Sequence, residues 1–286
     1  LSEHDEKIAQ RILTEIKNRL KTMIEIGLGY LTIDRLASTL SGGETQRINL
    51  TRTLGSNLTN SLYILDEPSV GLHPKDTEKL VLVLKRLRDL GNTVVVIEHE
   101  EAVIRNADYI VDIGPHAGVH GGDLVFAGDY NTFIQLGIEN LTASYLTGDR
   151  KINYPEQKRK IIQKILVQGA RQHNLKNVDV TIPLQAMTVV TGVSGSGKTS
   201  LVKHILYPAM KLAINDPLAI APGRHGGISG DIRNIKMVEM INQSPIGKSS
   251  RSNPVTYVKA YDDIRKLYSD QQASKIKGFE PKHFSF

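Results

Sequence analysis

Apolar residues along this chain recur at helical spacing in some segments and form short continuous runs in others. From Ile8 to Ile24 an isoleucine or leucine stands at every fourth position, which predicts one amphipathic helix over 6–26. Further helices are predicted over 44–54, 76–90, 199–213 and 257–268. Apolar runs predict strands at 61–65, 93–98, 109–112, 123–127, 165–168, 178–182, 187–191 and 236–241.

The order of these elements predicts the fold class. Strands that alternate with helices predict an α/β fold with a mainly parallel sheet and flanking helices. The run at 93–98 (TVVVIE) is rich in β-branched residues and predicts a strand buried on both faces. Polar residues of both charge signs dominate 141–163, which predicts a linker between two domains.

A glycine-rich loop at 192–199 (GVSGSGKT) lies between a predicted strand and a predicted helix. Glycines let backbone N–H groups turn toward phosphate oxygens, and the helix N-terminus adds partial positive charge. Lys198 is expected to reach the β- and γ-phosphates, and the Thr199 hydroxyl is expected to bind Mg²⁺. The predicted nucleotide contacts are Gly192, Ser194, Gly195, Ser196, Gly197, Lys198, Thr199 and Ser200. A glycine-rich turn that happens to precede Lys-Thr is the alternative, which the strand and helix context disfavours.

Two further motifs stand before this loop in the chain. The sequence LSGGETQR begins at Leu40, and an apolar run ends in Asp66-Glu67-Pro68 about twenty residues later. The Ser-x-x-Glu pattern alone is typical of a helix capping box, and an acidic pair can simply cap a strand. Together the motifs resemble the ATP-binding cassette family of P-loop ATPases.

This resemblance implies roles for individual residues. Ser41, Gly42 and Gly43 would contact the γ-phosphate of ATP that a facing domain holds. Asp66 would help to hold Mg²⁺, and Glu67 would polarise the attacking water, because a carboxylate can accept its proton. His99 follows the TVVVIE run, where the family's switch histidine stands. Gln243 matches the glutamine that senses Mg²⁺ and the γ-phosphate, with an ordinary polar turn as the alternative.

Longer phrases narrow the resemblance. The sequences ILDEPSVGLH, IGPHAGVHGG, VTGVSGSGKTS and QSPIGKSSRSNPVTY are similar to the UvrA family, the damage-sensing ATPases of bacterial nucleotide excision repair. The resemblance covers nearly the whole chain. It implies the C-terminal part of a first nucleotide-binding domain (1–140), a linker (141–163) and the N-terminal part of a second (164–286).

The same resemblance implies cofactors and partners. The cofactors are ATP and Mg²⁺, with zinc only in modules outside this sequence. The partners are damaged duplex DNA, UvrB and a second copy in the full-length protein, with no membrane and a cytoplasmic location. A permuted cassette ATPase of a transporter or other complex is the alternative function, and a module that only binds nucleotide is another.

The order of the motifs allows two architectures. In the family's head-to-tail arrangement, the segment Ser41–Glu44 would close over ATP on the loop at 192–199. Asp66, Glu67 and His99 would then serve a different nucleotide site. Alternatively, the strand before Asp66 pairs beside the strand before Gly192 and forms a permuted domain, within one chain or between two.

Charge is distributed unevenly along the chain. Residues 1–150 hold 15 Lys and Arg against 21 Asp and Glu, a net charge of −6, whereas residues 151–286 hold 21 against 9, a net charge of +12. A basic half suits a polyanion, because Lys and Arg that neutralise phosphates release condensed counterions. Lys248 and Arg251 are the candidate contacts to DNA backbone phosphates, with a solvated loop as the alternative.

The sequence argues against disulfides, thiolate metal sites and a membrane-spanning helix. The absence of cysteine excludes disulfides and thiolate metal ligands in this sequence. No apolar run approaches the roughly 20 residues that a membrane-spanning helix needs.

Overall fold

The computed structural model describes residues 3–40, 42–54, 59–241 and 253–285. The helices are α1 (Glu3–Glu25), α2 (Gly42–Leu54), α3 (Pro74–Asp89), α4 (Glu101–Ile104), α5 (Tyr130–Gln135), α6 (Leu141–Thr147), α7 (Tyr207–Ala213), α8 (Pro254–Tyr257), α9 (Ala260–Asp270) and α10 (Gln272–Ile276). The strands are β1 (Leu62–Asp66), β2 (Thr93–Ile97), β3 (Ile110–Gly114), β4 (Asp123–Gly128), β5 (Lys164–Ala170), β6 (Val178–Pro183) and β7 (Gly227–Gly230). Two units result, Leu1–Lys236 and Met237–Phe286.

The first core of the larger unit lies between helices and a parallel strand pair. Strands β1 and β2 pair in parallel, from Leu62 beside Thr93 to Asp66 beside Ile97. Helix α3 begins after the His73 N-cap with a proline in its first turn, and it ends near two arginines, as helix capping and the helix dipole favour. The buried residues of this core are Ile26, Leu28, Leu50, Tyr63, Leu80, Val83, Leu84 and Leu87. The leucine spacing that predicts α3 therefore marks its buried face.

An antiparallel hairpin follows. Strands β3 and β4 pair from Ile110 beside Gly128 to Gly114 beside Asp123. The fully buried ring of Phe133 in α5 packs against Phe126, with centroids 5.0 Å apart. Helix α6, which begins at the Asn140 N-cap, occupies the first part of the predicted linker.

The second core of the larger unit lies under a three-stranded antiparallel sheet of order β6-β5-β7. Its buried residues are Val167, Ala170, Leu201 and Ile205. The latter two belong to a π-helical segment, Ser200–Leu206, which continues directly into α7. The smaller unit holds α8, α9 and α10, and the Tyr261 hydroxyl donates to the Phe284 carbonyl oxygen at 2.6 Å.

The fold is α/β, but the prediction of a mainly parallel sheet is wrong for the described residues. Only β1 and β2 pair in parallel among the strands described, and the other pairings are antiparallel. The predicted strands at 187–191 and 236–241 are not strands, and Met187 and Ile241 are 93% and 95% exposed. A strand needs a neighbouring backbone to complete its hydrogen bonds, and no described strand pairs with these segments.

Two further predictions about burial are wrong. In β2, Val94 and Val96 pack against the first core, but Val95 and Ile97 on the opposite face are about half exposed. The isoleucine stripe of α1 is likewise exposed, although the helix itself is confirmed. Both segments therefore have the predicted secondary structure, but these apolar side chains are exposed to solvent. No helix of the described residues is long and apolar enough to cross a membrane.

Candidate functional site

The loop at 192–199 has the backbone geometry of a phosphate cradle. Gly192, Gly195 and Gly197 have φ angles of 141°, 75° and 108°, which side-chain-bearing residues rarely adopt. The Lys198 ammonium group donates to the carbonyl oxygens of Gly192 at 2.7 Å and Val193 at 2.9 Å. The Lys198 ammonium group therefore lies against the backbone of the loop.

The helix after the loop starts at the predicted place. The backbone N–H of Leu201 donates to the Gly197 carbonyl oxygen at 2.9 Å, and Thr199 has right-handed helical dihedral angles. Ser200 is buried, and its hydroxyl oxygen lies 3.0 Å from the Nδ1 atom of His173. The helix N-terminus thus adjoins the loop, and its partial positive charge favours an anion there.

A second loop, at 171–175, supports the first. The Asn174 side-chain amide donates to the Gly195 carbonyl oxygen at 2.8 Å. A Cβ atom built on Gly197 would stand 2.9 Å from the Leu175 Cδ2 atom. These contacts hold the glycine-rich loop from the side of β5, and a larger residue at position 197 would have to displace the Leu175 side chain.

The ring of Tyr30 packs against the glycine-rich loop at Gly195. A Cβ atom built there would stand 2.6 Å from the Tyr30 Cζ atom. The Tyr30 hydroxyl donates to the Oε1 atom of Glu44 at 2.5 Å, and Glu44 is only 3% exposed. Partial burial, followed by the bond to Glu44, raises the pKa of the Tyr30 phenol above its ordinary value.

The start of α2 carries the signature sequence. Helix α2 begins at Gly42, and Glu44 is in its first turn. A Cβ atom built on Gly43 would stand 3.6 Å from the Val70 carbonyl oxygen, so the helix start packs against the turn that follows β1. Ser41 lies outside the described residues. The Tyr30 side chain thus contacts both the glycine-rich loop, through its ring, and the first turn of α2, through its hydroxyl.

The acidic end of β1 meets the end of β2. Glu67 has a φ angle of 43°, and its backbone N–H donates to the Ile97 carbonyl oxygen at 2.9 Å. Its Oε1 atom lies 3.6 Å from the Nε2 atom of His99, whose side chain is largely exposed, while that of Glu67 is about half exposed. The structure therefore brings Glu67 and His99 together at the C-terminal edge of the parallel pair, directly after Asp66.

Glu98 shapes the turn beside this edge. Its carboxylate accepts from the backbone N–H and the hydroxyl of Ser69, both at 2.8 Å. It also accepts from the backbone N–H of His99 at 3.1 Å. One carboxylate thus fixes the turn after β1 to the residue that faces Glu67.

Among the described strands, no sheet joins the glycine-rich loop to the group formed by Asp66, Glu67 and His99. Among the described strands β1 pairs with β2 alone, and 187–191 pairs with none, so the permuted strand pairing expected as one alternative is not formed. Gln243, Lys248 and Arg251 lie outside the described residues. In the part of the chain that the structure covers, no three His, Cys, Asp or Glu side chains are grouped to hold a metal ion.

Sequence reasoning missed three residues that the structure places at these sites. Glu98 ends a run that the sequence singles out, so its position offers a usable signal. Asn174 lies in a short polar loop between two predicted strands, which gives a weaker signal. Tyr30 follows Gly29 in a stretch whose sequence indicates only the end of a helix. No neighbouring residue forms a motif that would predict its contact with the glycine-rich loop.

Comparisons with known proteins agree with the motifs. No family model matches the chain. Over its whole length the chain is 50% identical to UvrABC system protein A of Clostridium tetani and 49% identical to that of Staphylococcus epidermidis, and it spans 30% of each of those proteins. The crystal structure of UvrA2 from Deinococcus radiodurans superposes with a TM-score of 0.88 at 39% identity, over 99% of this chain and 34% of that one. In sequence and in fold, the chain is related along its length to the UvrA proteins and corresponds to about a third of them.

Proposed function

We propose that this chain binds Mg²⁺-ATP in the glycine-rich loop at 192–199, with the first turn of α2 facing the terminal phosphate. The observation that carries the proposal is the bridge that Tyr30 makes between Gly195 and Glu44. It supports the head-to-tail architecture, in which the signature sequence and the loop form one nucleotide site. Backbone N–H groups of Gly192, Ser194, Gly195, Ser196 and Gly197, together with Ser200, then surround the phosphates.

The charged and hydroxyl groups of the loop have separate tasks in this proposal. Lys198 exchanges its two carbonyl acceptors for β- and γ-phosphate oxygens, which form stronger, charge-assisted hydrogen bonds. The Thr199 hydroxyl is an oxygen ligand of the kind that Mg²⁺ prefers. Bound Mg²⁺ neutralises charge on the phosphates, and Gln243 is proposed to sense it.

Asp66, Glu67 and His99 are proposed to serve a second nucleotide site, held by another phosphate loop. The missing strand pairing between β1 and 187–191 supports this division. Glu67 orients and deprotonates the attacking water, and His99, 3.6 Å away, orients that carboxylate. The proposed domain limits remain 1–140, 141–163 and 164–286.

The similarity to UvrABC system protein A supports a role in repair. We propose that the polypeptide carrying this chain is an ATP-hydrolysing, cytoplasmic subunit that recognises damaged duplex DNA and loads UvrB, as a homodimer. The net charge of +12 over residues 151–286 favours a DNA partner. Lys248 and Arg251 are proposed to contact backbone phosphates, which suits a sensor of DNA shape more than of sequence.

Equilibrium titration with a fluorescent ATP analogue and Mg²⁺ tests the nucleotide site. Lys198→Ala should weaken binding at least about tenfold, because it removes a charge-assisted contact to the phosphates. Lys176→Ala, which removes an exposed lysine near the second loop, is the matched control and should leave the affinity unchanged. A wild-type chain that does not bind the analogue would contradict the proposal.

Turnover and DNA binding test the wider role. Glu67→Gln in the polypeptide carrying this chain should lower ATP turnover about 100-fold and leave the affinity of the loop at 192–199 unchanged. Lys248→Ala and Arg251→Ala should weaken binding to damaged and undamaged duplexes alike, with a shallower salt dependence. Unchanged turnover in Glu67→Gln would exclude the proposed role of that carboxylate.

A further inference from the structure

The Asn174 side chain lies against two glycines of the glycine-rich loop. Its amide N–H donates to the Gly195 carbonyl oxygen at 2.8 Å. Its Oδ1 atom would stand 3.1 Å from a Cβ atom built on Gly197. Both glycines have positive φ angles, 75° and 108°, and a glycine backbone can adopt many other conformations unless contacts restrict it. Asn174 therefore contacts the part of the loop that has the greatest conformational freedom.

The second loop, which carries Asn174, is itself held in place. A backbone hydrogen bond of 3.2 Å closes its turn at 172–175, and the Leu175 side chain packs against the second core. The Nδ1 atom of His173 lies 3.0 Å from the Ser200 hydroxyl oxygen, at the start of the helix behind the glycine-rich loop. The residues on both sides of Asn174 are thus anchored to the surrounding structure.

The second loop also has a backbone conformation that costs free energy. His173, the residue before Asn174, has a φ angle of 54°, in the left-handed region that residues with side chains rarely occupy. Such conformations persist only where the surrounding structure holds them. The conformation of His173 determines the course of the backbone into Asn174, so this cost is part of what places the Asn174 amide at Gly195.

The conformation of the glycine-rich loop before binding affects how readily it takes up a phosphate group. When only a fraction of the chains has the binding-competent conformation, the apparent affinity is reduced by that fraction. In the bound state the phosphate oxygens accept hydrogen bonds from the loop N–H groups and hold the loop themselves. A contact such as that of Asn174 with Gly195 therefore matters most before the nucleotide binds.

We infer that Asn174 is a positioning residue that keeps the glycine-rich loop in its phosphate-binding conformation before the nucleotide arrives. The inference rests on the proposed nucleotide site and adds a residue that sets its association rate. Asn174 acts through the backbone of Gly195 and does not itself need to touch the nucleotide. It therefore affects ATP and ADP equally, because both carry the phosphates that the loop binds.

Stopped-flow measurements with fluorescent analogues of Mg²⁺-ATP and Mg²⁺-ADP test this inference. Asn174→Ala should slow association of both analogues about threefold, the typical effect of losing one neutral hydrogen bond. The dissociation rates should stay the same, because the bound phosphates hold the loop. Asn153→Ala, at an exposed position outside the second loop, is the matched control and should change neither rate.

A second variant separates the hydrogen bond from the size of the side chain. Asn174→Asp keeps the size but removes the N–H donor. At high ionic strength, where salt screens its added charge, it should slow association about as much as Asn174→Ala. Thermal denaturation of both variants shows whether the fold itself is affected.

The outcomes separate the inference from the proposed function. Unchanged association rates in both variants overturn the inference and leave the nucleotide site intact. Faster dissociation with unchanged association also overturns it, because Asn174 then stabilises the bound nucleotide. A lower thermal midpoint with a smaller binding signal at unchanged rates overturns it too, because Asn174 then supports only the fold. If wild type binds neither analogue, the proposed function itself fails.

Discussion

A buried ion pair between α2 and α3 gives a prediction about stability that the structure makes quantitative. The Arg47 NH1 and Asp76 Oδ2 atoms are 3.5 Å apart, and the two side chains are 1% and 7% exposed. In the described part of the chain the three guanidinium nitrogens of Arg47 make no hydrogen bond. Among the described side chains, Asp76 is the carboxylate that lies within ion-pair distance of this buried positive charge.

The substitution Asp76→Asn keeps the shape of the side chain and removes its charge. At this separation the attraction is about 5 kcal/mol with an effective dielectric constant of about 20. The loss of one partner of a buried pair typically costs about 3–5 kcal/mol, because the remaining charge stays buried. We therefore expect the free energy of unfolding to fall by about 3 kcal/mol or more, and the thermal midpoint to fall by about 2–4 °C for each kcal/mol.

Urea denaturation followed by circular dichroism measures the effect. The matched control is Asp108→Asn, which breaks an ion pair with Arg88 at 2.7 Å whose side chains are substantially exposed. Although this pair is shorter, its loss should cost less than about 1 kcal/mol, because water screens it. The double variant Arg47→Met/Asp76→Asn should recover most of the lost stability, since no buried charge remains. A loss below about 1 kcal/mol for Asp76→Asn would refute the reasoning.

Three further substitutions or conditions test the loop, the bridge and the second core. Gly195→Ala should weaken nucleotide binding at least about tenfold, whereas Gly91→Ala, which has a similar positive φ angle but open space around it, should only lower the melting temperature. Partial burial, followed by the bond to Glu44, raises the pKa of Tyr30 in the folded chain, so its contribution to stability is complete below pH ~10 and decreases progressively as the pH rises further. Urea titrations at pH 9 and 11 should therefore show a larger decrease in stability for wild type than for Tyr30→Phe. Ile205→Ala should cost about 2–5 kcal/mol in urea denaturation, and Leu212→Ala, at a half-exposed position, should cost much less.

Local signals predicted the elements whose determinants lie close together in the sequence. The leucines of α3, the proline after its N-cap and the arginines at its end all act within one segment, and the predicted helix is confirmed. The glycine-rich loop is similar, because its glycines, its lysine and the helix behind it are contiguous. In such cases the residues that determine the structure can be recognised without knowledge of the rest of the fold.

Sequence-based predictions failed for segments whose structure depends on contacts with residues far away in the sequence. The run at 187–191 has the composition of a strand, but a strand forms only beside another backbone, and no described strand pairs with it. The cover of the isoleucines in α1 depends in the same way on what packs beside that helix. Tyr30 has no periodic or motif signal, because its role comes from a contact between two irregular segments far apart in sequence.

The space above Gly195 belongs jointly to two positions that are 165 residues apart in the sequence. A larger residue at 195 is tolerated only if position 30 becomes smaller, and the φ angle of 75° narrows the choice further. Substitutions at positions 30 and 195 should therefore be correlated during evolution, because the residue at one position limits which residues fit at the other. The Tyr30 ring and the Gly195 backbone therefore constrain each other, although only Gly195 belongs to the glycine-rich loop.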